Sequence, residues 1–159
     1  MARFLITLSA IWAATAVALG AFGAHALRDA LPTWYAAEEV VRMEAIWETA
    51  ARYHLLHAIG SLVAIALLQR SPTEVLSNPS GPESTGRGPQ ANLPSERPWL
   101  WFPVYCLLIG SLIFSGCLYA MVLGGPRYLG AIVPIGGSLL ILGWITLAFL
   151  VPSQTSKAR

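Results

Sequence analysis

Four stretches of this chain contain no Asp, Glu, Lys or Arg: residues 4–27, 53–69, 99–125 and 128–152. The hydrocarbon core of a bilayer is about 30 Å thick and takes roughly 20 apolar residues as helix. The first, third and fourth runs reach that length. The second does so when Ala50 and Ala51 are added and Arg52 snorkels to the interface. Backbone groups in lipid must be satisfied within their own segment, so each run reads as a helix. A membrane barrel would alternate polar and apolar residues, and these runs are continuously apolar. The expected architecture is all-α, a four-helix transmembrane bundle with spans near 4–27, 50–69, 99–124 and 128–151, forming one integral membrane domain.

Composition agrees. Of 159 residues, 55% are hydrophobic and 11% charged, against about 25% charged in soluble domains. So few charges cannot cover a soluble surface, which makes the lipid bilayer the expected partner. The ten Lys and Arg are scattered and the net charge is only +2, which excludes a nucleic-acid partner. Cys106 and Cys117 would lie about 16 Å apart along one helix, too far for a disulfide. The first run exceeds the roughly 7–15 residues of a signal h-region and reads as an anchor.

The connections differ in kind. Between the first two spans, Pro32 and Thr33 resemble a helix start, with Thr33 as N-cap. Ala36, Val40, Met43, Trp47 and Ala50 then recur at helical spacing. Glu38 with Arg42 and Glu48 with Arg52 are i,i+4 pairs. This predicts an interfacial amphipathic helix before the second span, or a membrane-proximal extension of that span. Residues 71–98 hold six of the eleven prolines and almost no large apolar residue, so a disordered loop is expected there. A tight turn at Gly124-Gly125-Pro126-Arg127 joins the last two spans. The first terminus, the long loop and the tail carry six Lys and Arg, and the opposite side carries four. The positive-inside rule then favours cytoplasmic termini.

Candidate functional residues concentrate where the first two spans face each other. His25, Glu48, Arg52, Tyr53 and His57 form a candidate polar cluster. Ionisable groups inside spans are functional candidates by default. The plainer alternative is interhelical hydrogen bonding, with His25 and His57 joining spans one and two. A metal site needs three or four convergent ligands. Only His25, His57 and Glu48 offer themselves, so neither a metal nor a cofactor is expected. No nucleophile triad, phosphate-binding loop or mid-span carboxylate pair occurs, so no catalytic residue is assigned. Gly20, Gly23, Ala24, Gly116, Gly136, Gly137 and Gly143 are expected to pack helices closely. Pro134 is expected to kink the fourth span.

Gly20-Ala21-Phe22-Gly23-Ala24-His25 with Leu27, and then Thr49-Ala50 with Tyr53 and His57, are similar to two signatures of one bacterial family. Phe114-Ser115-Gly116, Leu118-Tyr119, Pro134-Ile135-Gly136-Gly137 and Gly143-Trp144 match its later spans. The chain resembles the domain of unknown function 423 family, the YgdD/YwdK-like group of small bacterial membrane proteins, related to small animal transmembrane proteins. The resemblance implies a four-span inner-membrane protein and no activity. It marks His25, Tyr53 and His57 as motif positions and leaves His54 at a variable one. Family members usually have a shorter linker in place of residues 71–98.

The functional expectation is a non-enzymatic structural, accessory or lipid-interacting bundle, acting with a membrane-protein partner or as a homo-oligomer. A transporter or channel component with the polar cluster at its entrance, and a metal- or haem-binding membrane protein, are the alternatives.

Overall fold

The computed structural model describes residues 1–69 and 98–150. The anticipated disordered loop, apart from Pro98, and the tail lie outside them. Four helices are long and apolar enough to cross a membrane.

The first begins as α1, Ala2–Phe22, passes through a π-helical turn, Gly23–Leu27, and continues as α2, Arg28–Trp34. The whole runs 33 residues, about 50 Å at 1.5 Å per residue. It outreaches the bilayer core by several turns. The sequence places a helix start at Pro32 and Thr33, but there the first helix is still running. Pro32 lies inside α2, and the Thr33 hydroxyl donates back to the Ala30 carbonyl at 2.7 Å rather than capping a new helix. The chain breaks at Tyr35, whose backbone is extended at φ −129°, ψ 152°.

Helix α3 spans Ala37–Gln69 as one 33-residue rod. Residues 37–49 are therefore the membrane-proximal extension of the second span, not a separate interfacial helix. No glycine or proline falls between Ala37 and Ile59 to interrupt it. Its buried residues, including Trp47, Ala50, His54, His57, Ser61, Ala64 and Ile65, follow three- and four-residue spacing along one stripe. The expected Glu38–Arg42 pair does not form; Glu48 and Arg52 do pair.

Pro98–Trp101 form a 3-10 turn leading into α4, Phe102–Val122, with Pro103 in its first turn, where a missing N–H costs nothing. A Gly turn leads to α5, Leu129–Leu150. In that turn Gly125 N–H donates to the Ala120 carbonyl at 2.8 Å and Gly124 N–H to Met121 at 3.3 Å. This is the Schellman pattern. Gly124 supplies the left-handed residue, with φ +88°.

Neighbouring spans run antiparallel, and α3 and α4 are the more buried pair, flanked by α1 and α5. Two apolar clusters result. One, around Leu5, Ile65, Trp101, Leu107, Leu140 and Leu147, fills the end nearer Met1. The other, around Leu27, Leu31, Trp47, Ala50, Tyr119 and Val122, ties α2 and α3 to the end of α4. Phe4, Ile11, Val41, Ile141 and Phe149 point outward. In a bilayer they meet acyl chains at no cost.

Candidate functional site

The predicted polar residues separate into three places. Tyr53 and His57 do meet on α3. Their rings stack at 5.6 Å, and Tyr53 also stacks on Phe114 of α4 at 4.6 Å. His57 is buried and its Nδ1 lies 2.7 Å from the Tyr53 carbonyl oxygen. The Ser61 hydroxyl donates to the His57 carbonyl at 2.7 Å. His25 is elsewhere. It sits exposed in the π-helical turn, and among the described residues no hydrogen bond or ring contact joins it to His57. Glu48 and Arg52 pair on an exposed face. The extra residue in the π turn rotates the residues after it about the helix axis, and helical spacing alone does not locate His25 across such a turn.

The residue placed at a variable position, His54, is the most enclosed histidine, 1% exposed. Its ring lies 4.0 Å from that of Trp12 on α1, and its Nδ1 is 3.5 Å from the Tyr119 hydroxyl on α4. Trp12 in turn donates its indole N–H to the Ser111 hydroxyl at 2.9 Å. These side chains knit α1, α3 and α4 together near the middle of the first span. The available signal was Trp12 itself. An indole N–H deep in lipid needs an acceptor, which points to polar partners such as Ser111 on a facing helix.

A second junction lies toward Trp34. The Trp47 indole rests on Gly23 and donates its N–H to the Leu19 carbonyl at 2.9 Å. Its ring also meets Tyr119 at 4.5 Å and Phe22 at 5.5 Å. Beside it, a cleft of about 380 Å³ opens between α1 and α3, bedded on Gly20, Gly23, Ala24 and Leu27 and rimmed by Arg28, Glu44 and Glu48. Arg28 and Glu44 approach loosely, at 3.7 Å. A smaller cavity of about 240 Å³ lies at the start of α3, lined by Tyr35, Glu39, Arg42, Met43, Met121 and Arg127 among others.

The small residues also divide. A Cβ on Gly136 would stand 2.5 Å from the Phe114 nitrogen and 2.9 Å from the Gly110 oxygen, and one on Gly143 would stand 3.1 Å from Cys106 and Leu107. Gly137 faces Phe114 at ordinary contact distance. Gly23, Gly136 and Gly143 thus sit at close helix approaches, while Gly137 has room for a Cβ. Gly60, against Trp144, sits at a further one. Gly20 and Gly116 do not, because an added Cβ meets nothing within 4 Å at either. Ala24 is exposed on the cleft, and Pro134 lies within α5.

Among the described residues, no three of His, Cys, Asp and Glu converge as a metal-ligand set. Cys106 and Cys117 are both free.

The profile of a family described as protein of unknown function, DUF423, matches residues 19–137. The chain belongs to the DUF423 family. The DUF423 match starts at Leu19, the residue that accepts from Trp47, and ends at Gly137, beside Phe114. It thus encloses the Trp47–Gly23 junction and the close approach of α4 to α5. A UPF0382 membrane protein of Staphylococcus epidermidis (strain ATCC 12228) is 37% identical over 145 residues, covering 91% of this chain and 92% of its own. UPF0382 membrane protein YwdK of Bacillus subtilis is 34% identical over 143 residues, 90% and 91% of the two chains. A UPF0382 membrane protein of Haemophilus influenzae is 33% identical over 145 residues, 91% and 90%. No solved structure matches the chain. With four apolar spans and these relatives, this DUF423 chain is a multi-pass membrane protein.

Proposed function

We propose that this protein is a non-enzymatic accessory bundle of the bacterial inner membrane that holds a lipid acyl chain in the cleft between α1 and α3. The observation that carries this reading is the cleft itself. At about 380 Å³ it falls in the range of ligand sites. Gly20 leaves its floor open, with nothing within 4 Å of where a Cβ would stand. Arg28, Glu44 and Glu48 lie at one rim. An apolar bed with charges at one end suits an acyl chain leaving a headgroup region.

The test is Gly20→Leu. A Cβ at Gly20 meets nothing within 4 Å, so the new side chain grows into the cleft, and a thermal melt checks that the variant stays folded. Native mass spectrometry from mild detergent should find lipid on the wild-type monomer and markedly less on the variant. Equal lipid retention would refute the reading. A second copy's helix is the competing occupant, and a wild-type dimer that Gly20→Leu converts to monomer would establish the homo-oligomer instead.

Both termini are placed in the cytoplasm on the charge bias of six against four. Reporter fusions at Ser84 and at the C-terminus should both report a cytoplasmic location. Two external reporters would reverse the orientation.

A further inference from the structure

The smaller cavity has a chemistry that the cleft lacks. Arg42 enters it from α3 and Arg127 from the α4–α5 turn. Both guanidiniums are exposed, and among the described residues neither has a carboxylate within 4 Å. Glu39, on the same lining, is also in no ion pair among the described residues. Below the charges lie Met43 and Met121, half-buried and apolar. The two arginines and one glutamate leave a local charge of +1, equal and opposite to a single phosphodiester.

A helix C-terminus ordinarily repels an anion, because its last carbonyls point outward. Here those of α4 are occupied. Gly125 N–H takes Ala120, Gly124 N–H takes Met121, and the Tyr35 hydroxyl takes Val122 at 2.9 Å. The negative end of α4 is thereby blunted beside the cavity. Exposed Trp34 and Tyr128 at the same end of the bundle mark the headgroup level, where amphipathic rings settle.

We propose that this cavity binds the phosphodiester of an anionic glycerophospholipid with a neutral, hydroxyl-bearing headgroup. Arg42 and Arg127 grip the phosphate oxygens from two elements, using the paired N–H geometry that guanidinium offers. The glycerol end lies over Met43 and Met121, and Glu39 accepts from a headgroup hydroxyl. A zwitterionic lipid would leave the +1 uncompensated. The site is separate from the α1–α3 cleft, whose acyl chain is held without regard to headgroup.

The experiment is native mass spectrometry of the full chain from mixed micelles of phosphatidylglycerol and phosphatidylethanolamine with matched acyl chains. Wild type should retain phosphatidylglycerol preferentially. Arg42→Gln or Arg127→Gln should lower that preference about fivefold, and the pair together about 30-fold. Arg52→Gln removes an exposed cation outside this cavity and should leave it unchanged. No preference in the wild type, or an undiminished one in the double variant, overturns the site. An equal loss with Arg52→Gln also overturns it, by showing diffuse charge attraction. If thermal melts show the double variant unfolded, the two single variants carry the test.

Discussion

Trp47 of α3 lies on Gly23 of the π-helical turn and donates its indole N–H to the Leu19 carbonyl, one turn earlier on α1. The absence of a side chain at Gly23 makes the approach possible, since a Cβ there would collide with the indole Cδ1 and Nε1 atoms. A small residue, an irregular helix turn and a distant tryptophan are thus one joint.

Gly23→Ala should destabilise the protein by about 1–3 kcal/mol, the usual cost of overpacking a tight contact. Gly20→Ala, three residues away and facing open space, should be near neutral. Trp47→Phe loses the N–H and shrinks the buried indole to a single ring, and should cost about 1–3 kcal/mol, the cavity left behind adding to the lost interhelical bond. Unfolding in mixed micelles with rising SDS, followed by far-UV circular dichroism, measures all three. Equal stability of the two alanine variants would contradict the joint.

Gly136 and Gly116 form a second contrasting pair. Gly136→Ala puts a methyl against the backbone of Phe114 and Gly110, which can yield only by moving α5 away from α4. About 1–3 kcal/mol of loss is expected. Gly116→Ala meets nothing and should change stability by less than about 0.5 kcal/mol. The same SDS titration reads both, and a neutral Gly136→Ala would show that the helices separate freely.

The histidines should rank by enclosure. His54→Ala empties a packed position between Trp12 and Tyr119 and should cost about 2–4 kcal/mol. His57→Ala should also lower stability in detergent, through lost contact with Tyr53 and Trp144. His25→Ala, on an exposed turn, should stay within about 0.5 kcal/mol. Thermal melts of the three variants give the order, and a His25 effect as large as that of His54 would disprove it.

Tyr35→Phe should weaken the join between the first helix and the end of α4. It removes the donor to the Val122 carbonyl and costs about 0.6–1.7 kcal/mol by the range known for such bonds. Amide hydrogen exchange should quicken around Val122 and the Gly124–Gly125 turn while the centre of α3 stays protected. Uniform quickening along all helices would indicate a global effect instead.

The four helices, their order and the Gly turn before α5 were legible in the sequence, because lipid demands long charge-free runs and a Schellman turn demands glycine. So were Gly23, Gly136 and Gly143 as packing positions, and Tyr53 with His57 as helix neighbours one turn apart. These properties rest on local rules of length, spacing and backbone freedom. The tertiary structure decided what depends on rotation and register between helices. It continued the first helix through Pro32 to Trp34, because one proline near a π turn does not end a helix. It merged residues 37–49 with the second span, because no breaker lies between them. It turned His25 outward and His54 inward, since a five-residue turn shifts the faces of everything near it and spacing cannot reveal which stripe of α3 meets Trp12. It left Gly20 and Gly116 without neighbours, although their sequence contexts resemble those of the packed glycines. Arg42 and Arg127 were brought to one cavity from positions 85 residues apart, a proximity set by the α3–α4 packing and the Gly turn together.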